Sequence, residues 1–334
     1  MISNKKIRIF LLSIITSGLM AVPLNGQVVT PSLNILSKPI MPAASSWLQL
    51  YSIGGEYSDG NGKRELDDDE IYDLEVSGSS GIVTLSMGNV DIDAYANEAR
   101  YDTKDDADAT FDGAYLKNYS ETYASLSLTG QGNVTVGAAI HEVKRNVFVA
   151  LPDHEDIDID QSGIVGSFSI KIFESLFIGG GVERINETSS LTVDNSWTEA
   201  TGGIALWFGQ NTDTQFRLEA SNTDSPKAKS EADLSSTKLS AVHPHSRINR
   251  INVDLMVNGL LFSYSNFNQI ADKEITNSST GKTVDQTETS ISEGSVQWIP
   301  QEGLILGFAF RTFKYKEVFE DNVDSFKVNL GFIF

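Results

Sequence analysis

The residues best suited to act on ions or polar solutes are charged side chains that alternate with apolar neighbours, as around Arg217 and Asp254. Side chains alternate between the two faces of a strand, so these charges would share one face. The set predicted to line an interior is Asp73, Glu75, Lys171, Glu183, Arg217, Glu219, Arg250, Asp254, Glu293, Arg311 and Lys327. Because it contains both signs of charge, which need water or each other, this face predicts either a wet channel or an interior closed by ion pairs.

Residue types typical of catalysis or metal binding are scarce. The chain has no cysteine and four histidines, which excludes thiolate metal sites, disulfides and cysteine nucleophiles. His141 is predicted to project inward from a strand, but no Gly-flanked serine motif or paired His/Asp motif accompanies it. We therefore predict that the chain is not an enzyme and holds no cofactor. The acidic runs 67–70 and 156–160 leave weak binding of divalent cations open, although solvated loop charge is the favoured interpretation.

Composition and the first residues narrow the class of protein. Lys and Arg number 25 and Asp and Glu number 45, a net charge of −20, which repels phosphate backbones and argues against nucleic-acid binding. Residues 1–26 combine a basic start, a short apolar run and small residues, the pattern of a secretory signal peptide. Residues 27–46 are predicted to form an unstructured leader. The favoured interpretation leaves it in the periplasm, and the alternative folds it into the interior as a small plug.

Alternation of apolar and polar residues continues from residue 47 to residue 334. Fourteen strands are predicted: 47–57, 70–77, 82–97, 119–129, 133–145, 161–171, 176–188, 199–209, 214–224, 247–257, 260–273, 286–298, 303–318 and 323–334. This assignment places a turn at 78–81 and a bulge after Gly88. Short and long connections alternate, as in an up-and-down transmembrane barrel, except that the last one, 319–322, is short where a long one is expected. We therefore predict an all-β fold with one antiparallel barrel over residues 47–334, with twelve or sixteen strands as alternatives to fourteen. A soluble sandwich is the competing interpretation, but its Greek-key connections would not alternate in this way.

The last strand carries the most specific signal. Apolar residues occupy every second position up to the carboxyl terminus, namely Phe326, Val328, Leu330, Phe332 and Phe334. This segment resembles the terminal assembly signal of bacterial outer-membrane β-barrels, in which a final Phe follows alternating apolar residues. The resemblance implies insertion by the barrel-assembly machinery into the lipid of the outer membrane of a Gram-negative-type bacterium. It does not indicate which member of the superfamily this chain is.

These features together predict a porin-like channel for passive diffusion of small hydrophilic solutes. A fourteen-stranded barrel has room for such solutes unless loops or the leader fill it. The acidic outer loops predict weak cation selectivity. The second interpretation is a gated transporter of hydrophobic compounds, resembling the long-chain fatty acid transporters, which also have fourteen strands. A third interpretation is a non-transporting barrel with a structural or adhesive role.

Overall fold

Almost every described residue after position 51 belongs to a β-strand. The computed structural model describes residues 28–30, 33–34, 38, 40–47, 51–66, 70–103, 114–130, 133–149, 155–190, 192–210, 212–234, 237–243, 245–276, 283–316 and 319–334. A 3-10 helix spans Pro42–Trp47. No helix within these described ranges is long and apolar enough to cross a membrane.

The strands are long and most are joined by short connections. Their bounds are β1 (Ser52–Leu66), β2 (Glu70–Met87), β3 (Val90–Thr103), β4 (Ala114–Thr129), β5 (Val134–Val149), β6 (Glu155–Lys171), β7 (Leu176–Ser189), β8 (Thr192–Phe208), β9 (Thr214–Ser225), β10 (Ala228–Leu234), β11 (Thr237–His243), β12 (Ser246–Val257), β13 (Leu260–Thr276), β14 (Thr283–Trp298), β15 (Gly303–Lys316) and β16 (Phe319–Ile333).

Fourteen of these strands close into one antiparallel barrel. Each pairs with its neighbours in chain order, and β16 pairs with β1 to complete the ring. Strands β10 and β11 form a separate two-stranded hairpin in the connection between β9 and β12, which pair directly with each other. The predicted all-β class and the predicted barrel of fourteen strands are therefore confirmed.

The outer surface of the barrel carries an apolar belt. In β15, for example, Leu304, Leu306, Phe308 and Phe310 are exposed while Ile305 and Ala309 are buried. The same alternation exposes apolar side chains on the other barrel strands. Most of them lie on the strand halves next to the turns at 88–89, 130–133, 172–175, 209–213, 258–259 and 299–302. We call these exposed side chains the apolar belt. A closed ring pairs the backbone hydrogen-bonding groups of its strands with one another, and an apolar outer surface is compatible with the lipid of a membrane. The structure is therefore a transmembrane barrel.

One turn lies where the sequence predicted it and one does not. Asn258 and Gly259 have φ values of 51° and 79° and connect β12 to β13, as expected for an Asn-Gly hairpin turn. The predicted turn at 78–81 is wrong, because β2 runs unbroken through these residues with full pairing to β1 and β3. The chain turns instead at Gly88, whose φ is 67°. The change of parity there is thus a turn between two strands rather than a bulge.

The described part of the leader lies inside the barrel. Val28, Val29 and Thr30 have no solvent exposure, and Leu33, Lys38 and Met41 are also buried. Their burial fits the alternative interpretation, in which the leader folds into the lumen as a small plug, rather than a leader that is free in the periplasm. We call the described residues between Val28 and Trp47 the N-terminal plug. The signal peptide predicted for residues 1–26 lies outside the described residues.

Candidate lumen site

The first contact between the N-terminal plug and the wall is a carboxylate that receives consecutive backbone amides. Glu219 on β9 accepts hydrogen bonds from the amides of Val28 at 3.0 Å, Val29 at 3.1 Å and Thr30 at 3.0 Å. The Thr30 hydroxyl donates a further bond at 3.2 Å. Amide bonds to a charged acceptor are stronger than bonds between neutral groups. Glu219 therefore fixes both the position and the direction of the start of the plug.

Arg217 joins this carboxylate to a second one. Its Nη2 lies 2.8 Å from Glu219 Oε2 and its Nη1 lies 3.1 Å from Asp254 Oδ2. The same guanidinium donates to the Thr30 carbonyl at 3.0 Å and to the Thr30 hydroxyl at 2.8 Å. Asp254 in turn accepts the amide of Leu33 at 3.1 Å. We call Arg217, Glu219 and Asp254 the anchor triad.

Strand register explains how the sequence assembles the anchor triad. Arg217 and Asp254 face each other directly across β9 and β12, and Glu219 lies two residues beyond Arg217 on the same face. Arg217 and Glu219 have no solvent exposure, and Asp254 has 2%. Charges removed from water to this degree are tolerated only where partners satisfy them. Several of these partners are backbone and side-chain groups of the N-terminal plug, so the plug is part of the folded lumen.

The second contact holds the ammonium group of Lys38. Lys38 Nζ is ion-paired with Glu121 on β4 and lies 4.8 Å from the ring centroid of Tyr123. Glu121 Oε1 also lies 2.9 Å from Nε2 of His141, whose Nδ1 is 3.0 Å from Glu183 Oε1. One lysine of the plug thus enters a buried network built from three wall strands.

The third contact is made by the 3-10 helix of the plug. The amide of Ala43 donates to Ser167 Oγ at 2.9 Å, and the Ala43 carbonyl accepts from Thr135 Oγ1 at 2.7 Å. Trp47 packs edge-on against Phe177 with ring centroids 5.3 Å apart. A Cβ atom on Gly137 would lie 2.8 Å from the Ala43 nitrogen. Glycine at this position is therefore required for the plug to approach the wall so closely.

The remaining lumenal charges pair with groups of the wall itself. Lys327 Nζ lies 2.9 Å from both Glu56 and Glu293, and Arg311 Nη2 lies 2.8 Å from Glu293. Arg250 donates to Thr223 at 2.8 Å and stacks 5.3 Å from the Phe267 ring. Lys171 bonds to Gln210 at 3.0 Å. Of the two sequence-based alternatives for the charged face, these contacts match the interior closed by ion pairs.

Solved structures with a similar fold include a hydrocarbon channel and a toluene transporter. A Pseudomonas aeruginosa FadL homologue aligns with a TM-score of 0.58 and 10% identity over 87% of this chain and 92% of its own. The Pseudomonas putida toluene transporter TodX aligns with a TM-score of 0.54 and 9% identity over 92% and 95%. The monoaromatic hydrocarbon channel CymD gives 0.50 and 9% over 88% and 91%. No protein-family model and no curated protein matches the chain. The likeness to these structures is one of fold, a transmembrane β-barrel.

The predicted location in the outer membrane of a Gram-negative-type bacterium is consistent with the closed ring and the apolar belt. At identities near 10%, the similar channels and transporters share the fold of this chain, and the expectation that the chain is not an enzyme stays a prediction. Among the described residues, no group of three or more His, Asp or Glu side chains is arranged to hold a metal ion. Asp67, Asp68 and Asp69 lie outside the described residues, so divalent cations at the outer loops stay a prediction.

Two residues predicted to line the interior of the barrel face the other way. Asp73 and Glu75 are exposed while Leu74 between them is buried. They share the parity of the exposed Leu85 and Met87, and β2 has no register shift that would change it. The error follows from the misplaced turn at 78–81. That turn divided β2 in two, so the face of Asp73 and Glu75 was assigned without the pattern in the second half of the strand.

The other predicted interior residues lie on the lumenal face of the barrel. Three of them, Arg217, Glu219 and Asp254, meet in the anchor triad, and Glu293, Arg311 and Lys327 meet in a second cluster. Lys171, Glu183 and Arg250 lie in separate places. Their role in lining a path for solutes stays a prediction.

Sequence reasoning missed two residues that prove central. Glu121 shares its face with Tyr123, whose inward position follows from period two, so the same pattern could have identified it. Lys38 lies in a segment without any period, and no sequence signal indicates its contact with Glu121, 83 positions away.

The five residues of the predicted assembly signal lie on the outer surface. Phe326, Val328, Leu330, Phe332 and Phe334 are all exposed on the closing strand and its end. Phe308 and Phe326 stack at 5.8 Å, and Phe332 lies 5.1 Å from Phe334. The signal therefore coincides with the apolar belt, and its recognition by the assembly machinery stays a prediction.

Proposed function

We propose that the barrel transports hydrophobic or amphipathic compounds across the outer membrane, with the N-terminal plug closing the lumen between transport events. The observation that carries the proposal is the anchor triad, which holds the start of the plug inside the lumen through bonds to Val28, Val29, Thr30 and Leu33. An open, water-filled porin needs an unobstructed lumen. A plug tied to the wall by buried charges favours a gated pathway instead.

The character of the lumen around the plug supports a hydrophobic cargo. A continuous buried apolar cluster joins plug residues to the wall, and its members include Val28, Val29, Leu33, Met41, Ile82, Tyr95, Tyr123, Val165, Phe177, Trp207, Leu261 and Ile305. Apolar surface of this kind binds apolar compounds by removing both surfaces from water. Passive diffusion of hydrophilic solutes, the first interpretation of the sequence, gains no comparable support.

The proteins of similar fold support the same cargo class. TodX is described as a toluene transporter and CymD as a monoaromatic hydrocarbon channel. At identities near 10%, this likeness is one of fold alone. The proposal for this chain therefore rests on its lumen, which is plugged and partly apolar.

Uptake measurements in cells and in vesicles test the proposal. Cells producing the wild-type barrel should take up radiolabelled toluene faster than cells carrying the empty vector. Proteoliposomes containing the barrel should not swell in solutions of small sugars. Rapid swelling in sugars would support the porin interpretation, and a correctly inserted barrel that admits neither compound would support the non-transporting one.

A further inference from the structure

The ammonium group of Lys38 is surrounded by wall residues that recognise cations in two ways. It is ion-paired with the buried carboxylate of Glu121. It also lies 4.8 Å from the ring centroid of Tyr123 and 5.8 Å from that of Tyr95. A cation within about 6 Å of an aromatic face is attracted to the ring electrons. The Lys38 side chain is only 6% exposed, so water contributes little to solvating its charge.

The wall builds this surrounding independently of the plug. Tyr95 faces Tyr123 across β3 and β4, and Tyr123 faces His141 across β4 and β5. Glu121 is two residues from Tyr123 and accepts a bond from the Tyr119 hydroxyl at 3.1 Å. We call Tyr95, Glu121, Tyr123, His141 and Glu183 the cation cage.

The charge of the cation cage requires a positive partner. His141 reaches two carboxylates with its two ring nitrogens, at 2.9 Å and 3.0 Å. Even a fully protonated imidazole therefore offsets one of the two negative charges. Lys38 supplies the second positive charge. If the plug moved out, Glu121 would lose its ion pair with Lys38, and another cation that entered the cage could replace this partner.

The cation cage also adjoins apolar surface. Tyr95 and Tyr123 are themselves members of the buried apolar cluster that includes Ile82, Ala139 and Val165. A ligand that places a positive group in the cage would lay an attached apolar portion along this cluster. Small inorganic cations would satisfy the carboxylate but leave the apolar surface of the cluster unused.

We propose that the cation cage is a binding site for hydrophobic organic cations, meaning amines or quaternary ammonium compounds with an apolar portion. Lys38 occupies this site as an intramolecular ligand while the plug is seated. An organic cation therefore competes with Lys38. Binding stands on the cage alone, whereas transport of such cations also rests on the function proposed above.

Calorimetric titration of the folded barrel in detergent with benzyltrimethylammonium tests the proposal. Lys38→Met removes the competitor, so this variant should bind the cation at least about tenfold more tightly than the wild type does. Benzyl alcohol, which has a similar ring and no charge, should show no such gain. The double variant Lys38→Met/Glu121→Gln should lose the gained affinity.

Lys327→Met is the matched control. It also removes a buried lysine paired with a carboxylate of the wall, Glu293, and so it should not raise the affinity. Equal gains in the two lysine variants, or no gain in Lys38→Met, would overturn the proposal.

Folding of each variant is checked by its heat-modifiable mobility in SDS gels. If Lys38→Met did not fold, Glu219→Ala would release the start of the plug and leave the cage intact. The same gain is then expected of it, and its absence would be equally decisive. Toluene uptake by the wild type is measured separately. Its failure would refute the proposed transport of hydrophobic compounds without bearing on cation binding.

Discussion

Removal of the Glu219 carboxylate should release the start of the N-terminal plug. In the closed barrel this carboxylate accepts hydrogen bonds from three consecutive amides, from the Thr30 hydroxyl and from Arg217. Glu219→Ala abolishes all of them and leaves Arg217 with Asp254 as its remaining carboxylate. The amides of Val28, Val29 and Thr30 would then be buried without their acceptor. Each of these changes raises the free energy of the closed state.

The magnitude follows from the burial of the anchor triad. A single hydrogen bond to a charged group contributes roughly 1.5–3 kcal/mol, but bonds that share one acceptor are not additive. Breaking a fully buried ion pair typically costs about 3–5 kcal/mol. If the plug is released, water can solvate the freed groups, so most of this cost falls on the closed state. We therefore expect the ratio of open to closed barrels to rise by at least about a hundredfold, since each 1.4 kcal/mol is tenfold.

Single-channel recording in planar bilayers measures this ratio directly. The wild type should be closed for most of the recording, and Glu219→Ala should open far more often, with Glu219→Gln between them because the amide oxygen still accepts hydrogen bonds. Glu56→Ala is the control, since Glu56 pairs with Lys327 at 2.9 Å on the wall. The reasoning is refuted if folded Glu219→Ala is as closed as the wild type, or if Glu56→Ala opens as often.

Four further predictions concern assembly, register, selectivity and pH. Deletion of Phe334 should leave the protein in the periplasm, and normal yield in isolated outer membranes would contradict the role of the closing strand as an assembly signal. Phe308→Arg places a charge on the exposed apolar belt and should destabilise the barrel by roughly 2–4 kcal/mol if it lies near the midplane, whereas Ala309→Ser on the buried face should change the urea midpoint little. The opened Glu219→Ala channel should be weakly cation-selective in a KCl gradient, with less selectivity at high salt, and anion preference would argue against the charge reasoning. Hydrogen bonds to Asp272 and Asp224 raise the pKa of His245 above its ordinary value. The stability that these contacts add is therefore complete below about pH 6.5, and it is lost as the pH rises through the raised pKa. His245→Gln should remove this small dependence from urea unfolding curves.

Period two predicted most of the barrel because lipid and lumen impose opposite demands on neighbouring residues. The alternation of Leu304, Leu306 and Phe308 with Ile305 and Ala309 survives in the structure as exposed and buried faces. Closure of the ring by β16 and β1 could be expected for the same reason, since an unpaired edge in lipid is not tolerated.

The position of one turn was predicted wrongly because glycine occurs both in turns and within strands. Gly78 and Gly81 suggested a turn, yet both lie within β2, paired with Ser58 and Gly55 of β1. Glycine is also the residue that permits close approach between strands: a Cβ on Gly78 would lie 2.9 Å from the Glu98 carbonyl oxygen. Composition cannot distinguish these two uses of glycine, whereas the φ value of 67° at Gly88 does so at once.

The N-terminal plug was beyond prediction in detail because its contacts are tertiary. Val28 and Glu219 are 191 positions apart, and no periodic pattern links a segment to a partner that distant. The alternation with period two predicted the interior charges, but it did not indicate that residues of the plug bind to them. Arg217 and Glu219 appear in the sequence as ordinary inward charges of a strand, and only the structure shows that backbone amides complete their hydrogen bonding.

The distribution of contacts around the lumen suggests which part of the wall changes during opening. The described hydrogen bonds, ion pair and ring contacts of the plug lie on β3 to β7, on β9 and on β12, through residues such as Glu121, Ser167, Phe177, Glu219 and Asp254. The cluster of Glu56, Glu293, Arg311 and Lys327 is satisfied by wall strands β1 and β14 to β16. Withdrawal of the plug would therefore leave this second cluster intact, while Glu121, Glu219 and Asp254 on the rest of the wall would lose the partners that the plug supplies. A ligand that offers a cation or hydrogen-bond donors to those groups stabilises the open state by its differential affinity for it. The same buried charges that hold the plug thus also determine which compounds can replace it.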